Sequence, residues 1–150
     1  MIIKGNILDT DAKYILHQCN CVSAKSSGLA YQIFDKFPYA NCYQIRTSPD
    51  KPGTIKIFGN GKDKRFIINA FAQVYPGGPS KNDDETLREQ WFQDCLNCVM
   101  NIKDLESIAL PFNIGCGLAK GNWNHYYKII ERFAEEVNAL QKVDVKIYQL

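Results

Sequence analysis

The segment that most constrains the fold of this chain is Leu110–Leu118, with the sequence LPFNIGCGL. The apolar residues 107–110 predict a buried strand before it, and an aromatic-rich helical pattern begins after it at Trp123. A strand, a Gly-x-Gly loop and a helix in this order are typical of phosphate cradles in α/β proteins. Gly115 and Gly117 let backbone amides approach an anion closely. An ordinary tight turn has the same local pattern, so this loop alone does not decide the function.

A second glycine-containing loop supports the same interpretation. It covers Ser23–Ala30 and follows the apolar run Tyr14–Cys21, which predicts another strand. Ligands of open α/β sheets bind at the carboxyl ends of the strands, where such loops converge. We therefore expect a crevice lined by backbone amides and asparagines, with few charges. Two loops of this kind can hold one diphosphate from two sides.

The rest of the chain alternates between strand and helix patterns, with Asn60-Gly61 as a hairpin signal between two predicted strands. The predicted strands are 1–3, 14–21, 53–58, 65–71, 107–110 and 143–148. The predicted helices are 28–37, 39–46, 84–103 and 123–137, and the polar segment 72–83 is predicted to be a surface loop. This alternation favours an α/β fold with a largely parallel or mixed sheet covered on both faces. No repeat or linker divides the chain, so we expect one domain over residues 1–150.

Composition narrows the classes of function. The 150 residues carry a formal net charge of +2, with 45% hydrophobic and 23% charged residues. This balance gives no strong signal for nucleic acid or for an anionic membrane. No apolar run reaches the ~20 residues of a membrane span, and the first residues lack the pattern of a signal peptide. We therefore expect a cytoplasmic monomer that takes a small-molecule ligand.

The six cysteines do not indicate a disulfide framework, because thiols stay free in a reducing compartment. Cys19 and Cys21 share one face of a predicted strand, and Cys95 and Cys98 share one face of a predicted helix. A zinc site would need four converging ligands, and the two histidines are not at zinc-finger spacing. We expect the cysteines to act as small buried hydrophobic residues, with no metal and no cofactor.

Four segments resemble the macrodomains, a family of ADP-ribose-binding domains, and together they extend over nearly the whole chain. Residues 4–8 (KGNIL) are similar to an opening Gly-Asp-Ile/Leu element, and 17–23 (HQCNCVS) to the second-strand motif. Residues 26–30 (SSGLA) resemble the first substrate loop, and 113–118 (NIGCGL) resemble the diphosphate-binding loop. The resemblance implies a three-layer α/β/α macrodomain with a central mixed, largely parallel sheet.

Among macrodomains, the chain looks most like the branch that holds the ADP-ribose-1″-phosphate phosphatases and the terminal ADP-ribose glycohydrolases. Residues 28–32 (GLAYQ), the segment 37–40 (FPYA) and the ending 148–150 (YQL) resemble the phosphatase arm. The glycohydrolase arm has a lysine after the hairpin's second strand and an aspartate just after the leucine of the second loop. Ala119 stands at the aspartate position, and residues 73–76 offer no match for the lysine. The resemblance therefore favours phosphatase chemistry.

The resemblance also implies which residues form the site. Asn20 matches an asparagine that faces the distal ribose. Asn6 stands where the family has an acidic residue that contacts the adenine amino group, and Tyr148 and Leu150 stand where the ending helps to form the adenine pocket. The expected ligand-binding residues are Asn6, Ile7, Ser27, Gly28, Leu29, Ala30, Phe112, Asn113, Ile114, Gly115, Cys116, Gly117, Leu118, Tyr148 and Leu150.

The expected catalytic residues are His17 and Asn20. His17 has an ordinary pKa near neutrality, so it suits either a general acid or a base towards water. The alternative is a hydrogen-bonded core histidine within a strand. Asn20 suits a contact to a ribose hydroxyl or to a water, and the alternative is a turn asparagine. A nucleophilic Cys116 would need a neighbouring base, and the sequence identifies none.

These residues predict an ADP-ribose-binding hydrolase that removes the 1″-phosphate from ADP-ribose-1″-phosphate. The ligand is accordingly expected to be ADP-ribose or its 1″-phosphate. One alternative is a hydrolase that removes ADP-ribose from protein carboxylates or nucleic-acid ends. The other is a non-catalytic reader of ADP-ribose.

Overall fold

The computed structural model describes all residues from Met1 to Leu150, and its six strands form one sheet. The strands are β1 Ile2–Lys4, β2 Tyr14–Asn20, β3 Thr54–Phe58, β4 Phe66–Gln73, β5 Ser107–Pro111 and β6 Asp144–Gln149. The helices are α1 Gly28–Lys36, α2 Cys42–Ile45, α3 Glu85–Met100 and α4 Trp123–Leu140. Two 3-10 turns, Ile7–Asp9 and Pro38–Ala40, complete the regular structure.

The strand order in the sheet is β1-β6-β5-β2-β4-β3. All neighbouring pairs are parallel except β3 and β4, which form an antiparallel hairpin at one edge. The connection between these two strands is longer than a two-residue turn and contains Asn60-Gly61, as the sequence indicated. The expected mixed, largely parallel sheet is therefore confirmed.

Apolar side chains lie on both faces of the sheet. One cluster, between the sheet and helices α3 and α4, includes Leu16 and Ile108. The other cluster, which contains α1, includes Ile15, Ile33 and Ala109. Neighbouring residues of β2 and β5 alternate between the two clusters, because successive side chains of a strand point to opposite faces. Burial on both faces explains why these strands read as near-continuous apolar runs.

The boundaries differ from the predicted ones at two places that matter for the site. Strand β4 continues to Gln73, whereas the sequence placed residues 72–83 in a surface loop. Helix α3 begins at Glu85, and the Asp84 side chain caps it by accepting a hydrogen bond from the Leu87 amide. Asp83 lies outside the helix and is fully buried. On the same helix Cys95 is buried but Cys98 is exposed, so the expected burial of Cys98 is wrong.

None of the helices combines the length and the apolar composition needed to span a membrane.

Candidate ligand-binding site

A cavity of about 550 Å³ opens at the carboxyl ends of β2, β4 and β5. Strands β2 and β5 are neighbours, but β2 leads into α1 on one face and β5 leads towards α4 on the other. The chain therefore leaves the two strands in opposite directions, and a crevice forms between the loops. This is the topological switch point at which open α/β sheets bind their ligands.

The structure brings most of the predicted site residues together around this cavity. The predicted residues that line it are His17, Asn20, Ser27, Gly28, Leu29, Ala30, Phe112, Asn113, Ile114, Gly115, Gly117 and Leu118. The cavity is also lined by residues that were not among the predicted ones, which are Gln18, Ser23, Lys25, Tyr43, Gln73, Pro76, Gly77, Pro111 and Ala119. No aspartate or glutamate lines the cavity, and Lys25 is its only lysine or arginine.

Backbone amides without partners surround the cavity from two sides. At the start of α1, the N–H groups of Gly28, Leu29 and Ala30 donate to no group of the chain, and Ser27 provides no side-chain cap. In the second loop, the N–H groups of Gly115 and Gly117 are also without partners. Free amides and a helix N-terminus both favour a bound anion. This arrangement can therefore hold phosphate oxygens without a lysine cluster.

The two glycines of the second loop differ in whether the fold requires them. Gly115 has a φ of +72°, and a Cβ there would lie 2.5 Å from the Tyr126 ring. It is therefore required by the fold itself. Gly117 has no heavy atom within 4 Å of its Cβ position, so the fold would accept a side chain there. The absence of a side chain at Gly117 keeps the amide of this residue accessible from the cavity.

The two loops also touch each other. The Cδ1 atom of Leu118 lies 3.2 Å from the Cβ position of Gly28, whose φ is +58°. Leu118 is nevertheless 64% exposed. Its side chain therefore bridges the two loops at the surface, beside the free amides.

His17 lies at the cavity but is almost entirely buried, with 1% of its surface exposed. Its Nε2 lies 2.6 Å from Oδ1 of Asn69. The amide nitrogen of Asn69 donates to the carbonyl of Ala40, so its oxygen must face the imidazole. Nε2 therefore carries the proton and donates, and Nδ1 remains an acceptor. Burial lowers the pKa of His17 to about 4, although the bond to Asn69 opposes this shift, so the ring is neutral at pH 7.

Asn20 is held in place by its own backbone and by an arginine that the sequence analysis missed. Its Oδ1 accepts hydrogen bonds from the amides of Val22 and Ser23, at 3.1 and 2.8 Å. Arg46 donates to the Asn20 carbonyl at 3.0 Å and to the Ser23 carbonyl at 2.6 Å. The Nδ2 group of Asn20 has no partner within the chain and remains available as a donor to a ligand.

The Arg46 side chain is itself fixed. It forms a salt bridge of 3.0 Å with Asp50, and the two side chains are only 6% and 9% exposed. Its guanidinium also lies 4.4 Å from the centre of the Tyr43 ring, and the hydroxyl of Tyr43 accepts from the Asn20 amide at 2.8 Å. The loop after β2 is therefore built on a buried ion pair.

A second buried ion pair, Asp83–Arg88, holds the loops on the other side of the cavity. Arg88 lies 2.7 Å from Asp83, and the two side chains are 2% and 0% exposed. Arg88 also donates to the carbonyls of Tyr75, Gly77, Gly78 and Ala119. It thereby ties the segment after β4 to the loop after β5.

Asp83 completes this network by accepting from the amides of Val74 and Tyr75, both at 2.9 Å. Burial alone would raise the pKa of Asp83, but the hydrogen bonds from Arg88 and these amides lower it below its usual value. The sequence places Asp83 at the end of a surface loop, whereas in the structure its side chain is fully buried. Asp83 and Arg88 are five residues apart, and this spacing in a sequence does not predict a buried ion pair.

A chain of amide side chains lies at the cavity between these two ion pairs. Gln18 donates to Oε1 of Gln73 at 2.8 Å, and Gln73 donates to the carbonyl of Tyr75 at 2.8 Å. The Oε1 atom of Gln18 is buried without a hydrogen-bond partner. It therefore offers an acceptor that the chain itself does not use.

Five of the predicted ligand-binding residues do not line the cavity: Asn6, Ile7, Cys116, Tyr148 and Leu150. The Asn6 side chain accepts from the Leu8 amide at 3.0 Å, and the hydroxyl of Tyr148 accepts from Thr10 at 2.8 Å. Leu150 is 91% exposed. Their role at the adenine base remains a prediction.

Ile7 and Cys116 pack into the apolar clusters, and their role in ligand binding also remains a prediction. Ile7 is buried in the apolar cluster on the α1 side of the sheet. Cys116 is half-buried and packs against the cluster on the opposite side. Burial raises the pKa of its thiol to about 12, which disfavours a nucleophilic thiolate.

Residues that can hold a metal ion lie outside the cavity. The donor atoms of Glu85, Glu89 and His125 lie within 4.8 Å of one another. His125 Nδ1 is already 2.9 Å from a Glu89 oxygen, and its side chain is 52% exposed. In this arrangement the pair formed by Glu89 and His125 links the surfaces of α3 and α4.

A comparison with protein families decides what kind of domain carries this cavity. The model of the Macro domain matches residues 7–130, which is most of the chain and includes both loops. The chain belongs to the Macro domain family. A curated relative, an uncharacterized 17.5 kDa protein from the tk-vs intergenic region of Enterobacteria phage T4, is 25% identical over 150 residues. The alignment covers 90% of each protein.

Solved macrodomains share the fold. The macrodomain of DarG from Mycobacterium tuberculosis superposes with a TM-score of 0.74 at 23% identity, covering 100% of this chain and 98% of that one. A Trypanosoma brucei macrodomain in complex with ADP-ribose gives a TM-score of 0.70 at 13% identity. This match covers 98% of the present macrodomain and 61% of the trypanosomal chain.

Proposed function

We propose that this macrodomain binds ADP-ribose in the cavity at the switch point and hydrolyses ADP-ribose-1″-phosphate to ADP-ribose and phosphate. The observation that carries the proposal is the set of free amides from α1 and the second loop, which face a cavity without any carboxylate. A diphosphate is the group that such a cradle recognises. The bound ADP-ribose of the trypanosomal neighbour supports the choice of ligand.

The lining of the cavity favours the 1″-phosphate as leaving group over a protein or nucleic-acid linkage. Ala119 lines the cavity. The ADP-ribose glycohydrolases, to which the sequence is also similar, have an aspartate at this position. A carboxylate near a phosphate monoester would repel it, whereas alanine does not. The absence of acidic side chains therefore suits a substrate whose 1″-phosphate monoester carries two negative charges.

In the proposed reaction a water adds to phosphorus and the bond between phosphorus and the 1″-oxygen breaks. His17 is neutral, and its Nδ1 can accept a proton from that water, so we assign it the role of base rather than acid. The proton returns to the departing oxygen, which becomes the 1″-hydroxyl of ADP-ribose. The free Nδ2 group of Asn20 orients the distal ribose or the water.

The test is release of inorganic phosphate from ADP-ribose-1″-phosphate by the purified protein. We expect turnover by the wild type and a decrease of about 10²–10⁴-fold in His17→Ala, with ADP-ribose affinity largely retained. His17→Gln is the matched control, because its amide can still donate to Asn69. If His17→Gln also loses turnover while it remains folded, the imidazole itself is required.

Two other outcomes would redirect the assignment. Wild-type turnover by folded His17→Ala would show that His17 is structural and that the mechanism is wrong. Tight ADP-ribose binding without any phosphate release would favour a non-catalytic reader, which the burial of His17 and its bond to Asn69 also suit. No heat and no thermal shift at millimolar ADP-ribose would overturn the binding proposal itself.

A further inference from the structure

Lys25 is the only lysine or arginine that lines the cavity, and it belongs to none of the motifs that predicted the site. Its side chain forms no salt bridge and no hydrogen bond within the chain. Some other lysines, namely Lys13, Lys36, Lys56 and Lys146, pair with carboxylates, and Lys25 does not. No carboxylate of the cavity offers Lys25 a partner either.

The backbone amides already provide for a diphosphate, so Lys25 is available for a different negative charge. The free amides of the second loop and of the α1 N-terminus belong to residues that line the same cavity as Lys25. Lys25 precedes that helix by three residues and follows Ser23 by two. Asn20 and Arg46 fix the backbone of Ser23, so Lys25 extends from a fixed base beside the residue predicted to face the distal ribose.

We propose that Lys25 selects ligands that carry a phosphate monoester on the distal ribose. This inference rests on the proposed function and adds its specificity determinant. A lysine ammonium is a compact charge on a flexible stem and suits a terminal dianion that enters from solvent. A preformed arginine fork would restrict the direction of approach more strongly, and the cavity has none.

The experiment compares the affinity of two probes, ADP-ribose and a non-hydrolysable 1″-phosphonate analogue of ADP-ribose-1″-phosphate, by calorimetry. We expect the wild type to bind the phosphonate more tightly. Lys25→Gln should weaken phosphonate binding about tenfold and ADP-ribose binding less than about twofold, because one charged contact is lost. The wild-type preference should shrink as salt is raised, since Lys25 is exposed.

Lys142→Gln is the matched control for net charge. Lys142 is exposed and precedes β6, so it stands at the opposite end of the sheet from the cavity. The control should bind both probes as the wild type does. An equal loss for both probes in Lys25→Gln would place Lys25 at the diphosphate and overturn the inference, and so would an unchanged preference.

The two proposals fail in distinguishable ways. If the wild type prefers the phosphonate through Lys25 but releases no phosphate from the natural monoester, the specificity stands and the hydrolysis does not. If phosphate is released but Lys25→Gln keeps the full preference, the hydrolysis stands and the role of Lys25 is wrong.

Discussion

Two regions at the carboxyl edge of the sheet differ in how firmly they are built. The first is the β2–β4 end of the cavity, formed by Asn20, Gln73 and the loops that follow them. It is supported by the buried ion pairs Arg46–Asp50 and Asp83–Arg88. The second is the β1–β6 edge, formed by Asn6, Tyr148 and Leu150, which has no such pair and does not line the cavity.

This difference indicates where the macrodomain holds a ligand in a preformed geometry. Buried ion pairs cost desolvation, and a charge left unpaired in the interior costs far more, so such pairs hold their loops in one arrangement. At the β1–β6 edge, Asn6 caps a short turn and Leu150 is open to solvent. Contacts at this edge would have to form when the base binds, and ordering them would reduce their contribution to affinity.

The largest expected effect is the loss of the Asp83–Arg88 pair. Arg88→Met should lower the free energy of unfolding by about 3–5 kcal/mol, because Asp83 would remain buried without its partner. Urea denaturation measures this directly. Arg132→Met, on the exposed face of α4, is the matched control and should change stability by less than about 0.5 kcal/mol.

An Arg88→Met variant as stable as the wild type would show that the loops do not depend on the pair. The contrast between the two regions would then be lost.

Lowering the pH should destabilise the folded protein at the β2–β4 end, because His17 would have to be protonated while buried. Its pKa is about 4 in the folded protein and 6.5 in its ordinary state, so the unfolded chain binds more protons between these values. The contribution of His17 to the free energy of unfolding should therefore be fully present above pH 6.5. It should fall by about 3 kcal/mol as the pH is lowered to 4. Denaturation curves at pH 7 and pH 4 should show a smaller decrease for His17→Gln. An equal decrease in both proteins would mean that other groups cause the acid sensitivity.

The second loop should separate binding from folding. Gly117→Val should leave the melting temperature nearly unchanged, because the Cβ position is open, and weaken ADP-ribose by about 10- to 100-fold through blocked access to the amides. Gly115→Ala should instead lower the melting temperature, because its Cβ would collide with Tyr126. Calorimetry and thermal melts on both variants test this contrast. Unchanged affinity in Gly117→Val would remove the loop from the site.

The sequence alone predicted strands β2 and β5 and the two glycine-containing loops that follow them, because these depend on local patterns, but it did not predict the part of the cavity after β4. The apolar run of β2 and the Gly-x-Gly pattern specify a strand end and an open backbone without reference to distant residues. The supports of the β2–β4 end could not be predicted in this way. Arg46 and Arg88 read as ordinary surface charges, and only the folded chain brings carbonyl groups from several loops around them.

His17 illustrates the same limit from another side. Its position in the strand was predictable, but its pKa depends on Asn69, which lies 52 residues further along the chain. The Asn69 amide in turn is oriented by the carbonyl of Ala40. The protonation state of a candidate catalytic group is therefore a property of tertiary packing, and no local pattern specifies it.

The smallest expected effect concerns the β1–β6 edge. Removing Gln149 and Leu150 should weaken ADP-ribose binding more than it lowers the melting temperature, because an apolar cover of the adenine base would be lost. Some loss of stability is expected as well, since the Gln149 carbonyl accepts from the Gly5 amide at 2.9 Å. Leu150→Ser separates the two effects, because it keeps that hydrogen bond and removes only the apolar side chain.

Ribose-5-phosphate is the matched ligand, since it has no base and its weak binding should hardly change in either variant. We expect a loss of about 1 kcal/mol or less for ADP-ribose, because a side chain that is 91% exposed must be ordered before it can cover the base. Calorimetry at equal protein concentration compares the two ligands. If both variants bind ADP-ribose as tightly as the wild type, adenine lies elsewhere. The β2–β4 end and the two glycine loops would then account for the binding energy without any contribution from the β1–β6 edge.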